Sequence, residues 1–342
     1  MIIRSRAPLR LGFGGGGTDL SPFCDIYGGY VLNATIDLYA YANIETRSDG
    51  RLCIVASDIG AEFESDAASV PAPEGKLALH QAVYTRIISQ FCGGEARPLT
   101  LTTYCDAPPG SGLGSSSTLV VAMVKAFVEL LSLPLGEYDI ARLAYEIERV
   151  DLKLSGGRQD QYAATFGGFN FMEFYENERV IVNPLRVKNW ILSELESSLV
   201  LFETNTSRAS ARIIDEQTRN VRENDLDSVE ATKELKYDAL AMKEAVLKGD
   251  FAKFAHFMER SWLAKKRTAS NVTTDQIEAI FKTAHDAGAI AGKVSGAGGG
   301  GFIIFIVDPV RRMSVIAALN KTAGQVRNCH FTKHGTEGWR LD

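Results

Sequence analysis

Residues 107–127 read APPGSGLGSSSTLVVAMVKAF: a Pro/Gly turn, three consecutive serines, then an apolar run at helical spacing. A helix N-terminus carries unsatisfied N–H groups and a partial positive charge. Glycines let such groups approach an anion closely, so this arrangement suits phosphate. In the loop that also holds Pro109 and Leu113, Gly110, Gly112 and Gly114 remove side-chain bulk. Ser115, Ser116 and Ser117 add hydroxyls that can bond phosphate oxygens or ligate Mg²⁺. The alternative is a serine N-cap behind a flexible loop. The stretch is not a P-loop, which requires a lysine, and its glycine spacing is not that of a dinucleotide fingerprint.

Two further glycine-rich stretches weigh against a plain turn. One is PLRLGFGGGGTDL, residues 8–20; the other is KVSGAGGGGFIIF, residues 293–305. Runs of glycine beside an apolar strand weaken that strand, so their recurrence implies backbone packed tightly around something. The acidic ingredient follows. Glu146, Glu148 and Asp151 fall on a predicted helix, and SGGRQDQ, residues 155–161, comes after it. Glu146 reads as a solvated helix carboxylate. Asp160, flanked by Gln159 and Gln161 just after a Gly-Gly turn, is the better site candidate. A phosphoryl transferase needs a metal ligand and often a base near the attacking hydroxyl.

The elements that must position these residues read as α+β. Strand patterns fall at 30–45, 51–57, 99–106, 167–174, 179–182, 197–204 and 301–307. Helical patterns fall at about 79–91, 140–150, 207–222, 228–248, 251–266, 274–287 and 309–323. Strand-rich and helix-rich parts follow one another without strict βαβ alternation. A texture change near 184–190 divides the chain into residues 1–186 and 187–342. With 342 residues, 45% hydrophobic and 23% charged, a sizeable core can be buried. A net charge of −5 without a basic block argues against a nucleic-acid platform. No apolar run is long enough for a membrane span, and the first residues lack a signal-peptide core, so a cytoplasmic protein is expected. The five scattered cysteines read as free thiols, and the five scattered histidines make no zinc pattern. The basic residues Lys265–Arg267 read as a solvated helix end.

The three glycine-rich stretches, in this order, resemble the GHMP kinases, the superfamily of galactokinase, homoserine kinase and the mevalonate-type kinases. PPGSGLGSSS resembles that family's phosphate loop, PLRLGFGGGGTD its sugar-binding motif, and KVSGAGGGG its C-terminal glycine motif. The resemblance implies a two-domain fold: an N-terminal ribosomal-protein-like α/β domain and a C-terminal ferredoxin-like domain, with ATP and substrate between them. It implies nucleotide contacts from Pro109 to Ser117 and from Gly296 and Gly298, and Mg²⁺ ligation by Ser116 and Glu148. It also implies Asp160 as base, Arg10 as the basic residue that lowers the nucleophile's pKa and steadies developing charge, and Asp19 beside Thr18 on the sugar hydroxyls.

Galactokinases carry Glu-His where this chain has Gly16 and Gly17, so a galactokinase role is doubtful. GFGGGGTDL together with GGRQDQYAATFGGFNF resembles the bacterial branch that phosphorylates the anomeric hydroxyl of D-glycero-D-manno-heptose 7-phosphate on the route to surface polysaccharide. A sugar phosphate needs a basic clamp: Arg158, beside Gln159, is the first choice, then Arg208 and Arg212, then Lys293. A kinase of a free sugar such as L-fucose and a catalytically silent sugar sensor remain alternatives. The expected partner is a small sugar phosphate, with no nucleic acid or membrane; homo-oligomerisation stays open.

Overall fold

The computed structural model describes residues 1–69, 72–206 and 210–341. Its first sheet uses β1 (Ile2–Gly14), β2 (Gly29–Thr46), β3 (Arg51–Ala56), β4 (Ala61–Asp66), β5 (Leu99–Cys105), β6 (Phe169–Phe174) and β7 (Val180–Pro184). The 18-residue β2 is its spine. One end of β2 pairs antiparallel with β5 and the other with β6, while β1 lies along its opposite edge. β3 runs parallel to β5. The β-branched and aromatic residues of β2 supply the pleated, half-buried surface that such pairing needs.

The second sheet uses β8 (Leu199–Glu203), β9 (Ala289–Val294), β10 (Phe302–Val307) and β11 (Gln325–Arg327) in the order β11-β8-β10-β9, all antiparallel. Helices separate β8 from β9 and β10 from β11, which is the ferredoxin-like arrangement. The chain end departs from the expected division at residue 186. A last strand, β12 (Glu337–Leu341), returns to the first sheet and pairs with β1, Ile2 opposite Leu341. Its sequence, EGWRL, carries no alternation that would announce it.

Helix Ser115–Leu131 is apolar on nearly every face and is buried on nearly every face, as such a helix must be. It packs across β1 and β2. Helices Leu226–Lys248 and Phe251–Lys265 pack on each other, the first against β1 and β2, the second chiefly against β9 and also against β1. One core therefore runs through both halves. Phe13, Leu32 and Phe169 of the first sheet share it with Leu201, Phe302 and Ile304 of the second. Among the described residues no helix is long and apolar enough to cross a membrane.

The two halves also interlock by backbone. A Cβ on Gly112 would lie 2.4 Å from the Ser295 carbonyl oxygen, and one on Gly301 would lie 2.2 Å from that of Ser111. The Phe302 N–H donates to the Ser111 carbonyl at 3.0 Å. The serine loop and the third glycine stretch are thus pressed main chain to main chain. Gly112 has φ +81° with no room, whereas Gly94 has φ +82° with nothing within 4 Å. Alanine at either site costs about 1–2 kcal/mol for the left-handed backbone. Only Gly112→Ala adds the clash, so its melting temperature should fall clearly further than that of Gly94→Ala. Equal shifts would contradict the interlock.

Candidate active site

A cleft of about 290 Å³ opens where the three glycine-rich stretches meet. Arg10 reaches its wall from β1. The β1–β2 register slips between Pro8 and Arg10 and again between Gly12 and Gly14; such bulges re-aim side chains. The Arg10 guanidinium is buried, at 3% exposure. Its Nε donates to Asp160 Oδ1 at 2.8 Å, with Nη2 2.6 Å from the same oxygen. Its Nη1 donates to the Gly112 carbonyl at 2.5 Å, and Ser295 Oγ donates to that carbonyl at 2.9 Å.

Asp160 stands in the first turn of helix Gln159–Phe166, not in an open turn, and faces the cleft. Its Oδ2 makes no hydrogen bond to a described residue. That oxygen lies 3.3 Å from where a Cβ on Gly114 would sit, a tight approach beside a backbone already at φ +81°. The serine N-cap alternative does not hold: Gly114 occupies the cap position, and no side chain caps helix Ser115–Leu131. Its first-turn N–H groups are left for an anion. Ser115 Oγ bonds Ser111 Oγ and donates to the Pro108 carbonyl; Ser117 Oγ accepts from Gln161. Ser116 lines the cleft with its hydroxyl unbonded to any described residue, and Gly110, Gly112, Gly114 and Gly296 line it as well.

Glu148 lines the same cleft although it is 1% exposed. A π-helical turn, Ile147–Asp151, follows helix Glu137–Glu146 and turns Glu148 inward. Such widened turns favour functional sites. Glu146 and Asp151 pair with Arg86 away from the cleft. Glu148 accepts from Gln161 Nε2 at 2.5 Å and lies 3.6 Å from Arg149 Nη1. A carboxylate and a free hydroxyl are hard oxygen donors that fit a divalent cation. Among the described residues no group of three or more His, Cys, Asp or Glu side chains could hold a metal ion. An ion there would take most ligands from phosphate and water, as Mg²⁺ commonly does.

Asp19 is 2% exposed and lines the cleft with Gly16, Gly17 and Gln159. Its Oδ2 accepts from the N–H groups of Arg158 (2.9 Å) and Gln159 (3.1 Å), so it also caps helix Gln159–Phe166. The approach requires Gly157, whose Cβ would lie 1.9 Å from Oδ2.

Several expected contacts lie elsewhere. Thr18 is fully buried and spends its hydroxyl on both backbone groups of Tyr30, pinning the glycine loop to β2. Leu113 is a core side chain whose carbonyl accepts from the Arg10 N–H. Pro109 is exposed and outside the cleft lining. Gly298 also lies outside it and packs against Val272. The Arg158 guanidinium turns behind the wall, onto the Tyr175 carbonyl, Ser21 and Asp25, so it is not a clamp facing the cleft. Arg208 lies outside the described residues. Arg212 is exposed and does not line the cleft.

Lys265 was missed as a site residue. It lines the cleft at 6% exposure and donates to the Gly16 carbonyl at 2.8 Å, whereas Lys266 and Arg267 are the solvated, ion-paired pair. Its signal is in the sequence: Phe254, Met258, Trp262 and Lys265 fall on one helical face, and the other three are core. Lys293 is buried nearby and donates to the Gly12 carbonyl at 2.6 Å. Burial pulls Lys265 down to about 8. Burial, then repulsion from Lys265 and Arg10, pulls Lys293 down to about 7. Arg10 and Lys265 thus reach the cleft, whereas Lys293 is buried behind its wall and does not line it.

A lysine depressed in the fold binds fewer protons there than in the unfolded chain. Stability therefore rises with pH between about 7, the folded value for Lys293, and 10.5. Each such group contributes at most about 1.4 kcal/mol per pH unit. Thermal midpoints from pH 7 to 9 should rise less steeply in Lys293→Met than in the parent chain. Parallel profiles would contradict a depressed Lys293.

Residues 78–168 match the family described as GHMP kinases N terminal domain, and residues 242–325 match GHMP kinases C terminal. The chain is 50% identical over 341 residues to D-glycero-alpha-D-manno-heptose 7-phosphate kinase of Campylobacter jejuni, covering 99% of both chains. A crystal structure titled as a D-glycero-D-manno-heptose 1-phosphate kinase from Bacteriodes thetaiotaomicron superposes with a TM-score of 0.84 at 47% identity over 99% of both chains. Lactococcus lactis galactokinase shares the fold, with a TM-score of 0.78 at 18% identity over 98% of this chain and 95% of that one.

Proposed function

The chain belongs to the GHMP kinases, and from that premise we propose that it transfers the γ-phosphoryl group of ATP to the anomeric C1 hydroxyl of D-glycero-D-manno-heptose 7-phosphate, giving the 1,7-bisphosphate. The carrying observation is Asp160, fixed by Arg10 and set against the uncapped glycine-serine loop, with one carboxylate oxygen unbonded to any described residue. The 50% identity with a heptose 7-phosphate kinase over nearly the whole of both chains supports the substrate.

The sugar hydroxyl sits at Asp160 Oδ2 and gives up its proton there as its oxygen bonds to the γ-phosphorus. The bond from that phosphorus to the β-γ bridging oxygen breaks, and ADP leaves. Phosphoryl transfer has a loose transition state and asks chiefly for positioning and charge stabilisation. Arg10 cannot lose its proton; it holds Asp160 in place and counters its charge. N–H groups of the loop and of the first turn of helix Ser115–Leu131 face the phosphate oxygens where charge accumulates. Ser116 and Glu148 would hold a Mg²⁺ ion, which supplies neutralisation of that charge. Asp19, already supplied with four donors, keeps the sugar side of the cleft rigid.

ADP release with Mg·ATP across heptose 7-phosphate, mannose, mannose 6-phosphate, fucose and galactose tests the reading. Turnover confined to the heptose phosphate is expected; preferred turnover of fucose or another free sugar contradicts it. Asp160→Asn should lower kcat by about 10²- to 10⁴-fold while leaving ATP binding intact, and a fully active variant would remove Asp160 from the base role. Glu148→Gln should raise the Mg²⁺ requirement, measured as the half-saturating metal concentration at fixed ATP.

A further inference from the structure

Past Asp19 the cleft continues into a second chamber of about 520 Å³. Asp19, Arg149, Ser155 and Gly156 line both spaces. Neither Arg10, Asp160 nor any residue of the 110–117 loop reaches the second. The sites therefore lie in order: phosphate loop, Asp160 with Arg10, Asp19, then the chamber. An anion in the chamber would sit on the acceptor side, across the sugar from the reacting hydroxyl.

The chamber wall carries Arg149, Lys153, Arg219 and Arg222. Arg149 folds against Gly156, where a Cβ would lie 2.3 Å from Nη2, and it already faces Glu148. The side chains of Lys153, Arg219 and Arg222 make no hydrogen bond or ion pair with any described residue. They are therefore available to a ligand, whereas Arg86, Arg142 and Arg267 are each spent in an ion pair. Arg219 and Arg222 stand three residues apart in the last turn of helix Ser210–Arg222, on one face. Lys153 holds φ +54°, in the left-handed region that costs a residue with a side chain, and strain of this kind gathers at ligand clamps. The same wall also carries three carboxylates, and Lys153, Arg219 and Arg222 are themselves exposed. Asp19 is filled with donors, Asp215 accepts from Ser155 Oγ, and Glu223 is exposed.

We propose that this chamber is the subsite for the phosphate the sugar already carries, and that Lys153, Arg219 and Arg222 are its clamp. The proposal rests on the reading of the enzyme as a sugar-phosphate kinase, and it replaces Arg158 in that role. A phosphate monoester near neutral pH carries most of two negative charges and three acceptor oxygens, which suits two guanidinium forks and an ammonium. The clamp makes the enzyme select phosphosugar over free sugar without touching the nucleotide.

The test is steady-state kinetics of the full-length enzyme, parent and Arg219→Gln/Arg222→Gln, on heptose 7-phosphate and on the unphosphorylated heptose. Charge-assisted contacts of this kind predict a loss in kcat/KM for the phosphosugar of about 10- to 100-fold per arginine. The loss should appear as a raised KM for the phosphosugar. The KM for ATP, the thermal midpoint and kcat/KM for the free heptose should not change. Lys153→Gln should show a smaller loss of the same kind. An unchanged KM for the phosphosugar, or equal losses with both sugars, would overturn the clamp. A parent enzyme that turns over only free sugars would overturn the functional reading and the clamp together, so the two failures are told apart.

Discussion

The buried guanidinium of Arg10 is the contact on which the rest of this molecule is arranged. A buried charge is tolerated only when paired and hydrogen-bonded. Arg10 meets that demand by drawing in Asp160 and the Gly112 carbonyl, a carbonyl that also accepts from Ser295. β1, the serine loop, the helix carrying Asp160 and the third glycine stretch thus converge on one side chain. Removing Asp160 would leave a guanidinium only 3% exposed without its ion-pair partner. The geometry of the candidate site and the joint between the two halves therefore share these contacts.

Glycine serves two purposes in this frame. Some glycines leave space for a ligand: Gly16 meets nothing closer than 3.6 Å. Others permit contact between parts of the chain. Gly112 admits the Ser295 carbonyl, Gly114 admits Asp160, and Gly157 admits Asp19. The unusual glycine runs thus reflect both a phosphate to be reached and a close approach of main chain, and the second purpose accounts for more of them.

This division explains what could be read from the sequence. Long periodic elements were legible, as were the three glycine stretches and the carboxylate after Gly-Gly, because each depends on local composition. What escaped depends on tertiary context. The π turn that aims Glu148 inward differs from a plain helix by one hydrogen-bond step. β12 is held by its pairing with β1, not by its own pattern. Arg158 sits in the right loop but turns its guanidinium behind the wall, since its backbone is committed to Asp19. Lys265 was readable in principle, as a charge placed on the apolar face of helix Phe251–Lys265.

The account treats Arg10 and Asp160 as one unit, with the arginine acting through the carboxylate it positions. A double-mutant cycle on kcat tests this directly, using Asp160→Asn, Arg10→Met and the two combined. The account predicts that the combined variant is no slower than the slower single variant. Losses that multiply would show two independent contributions and would contradict it.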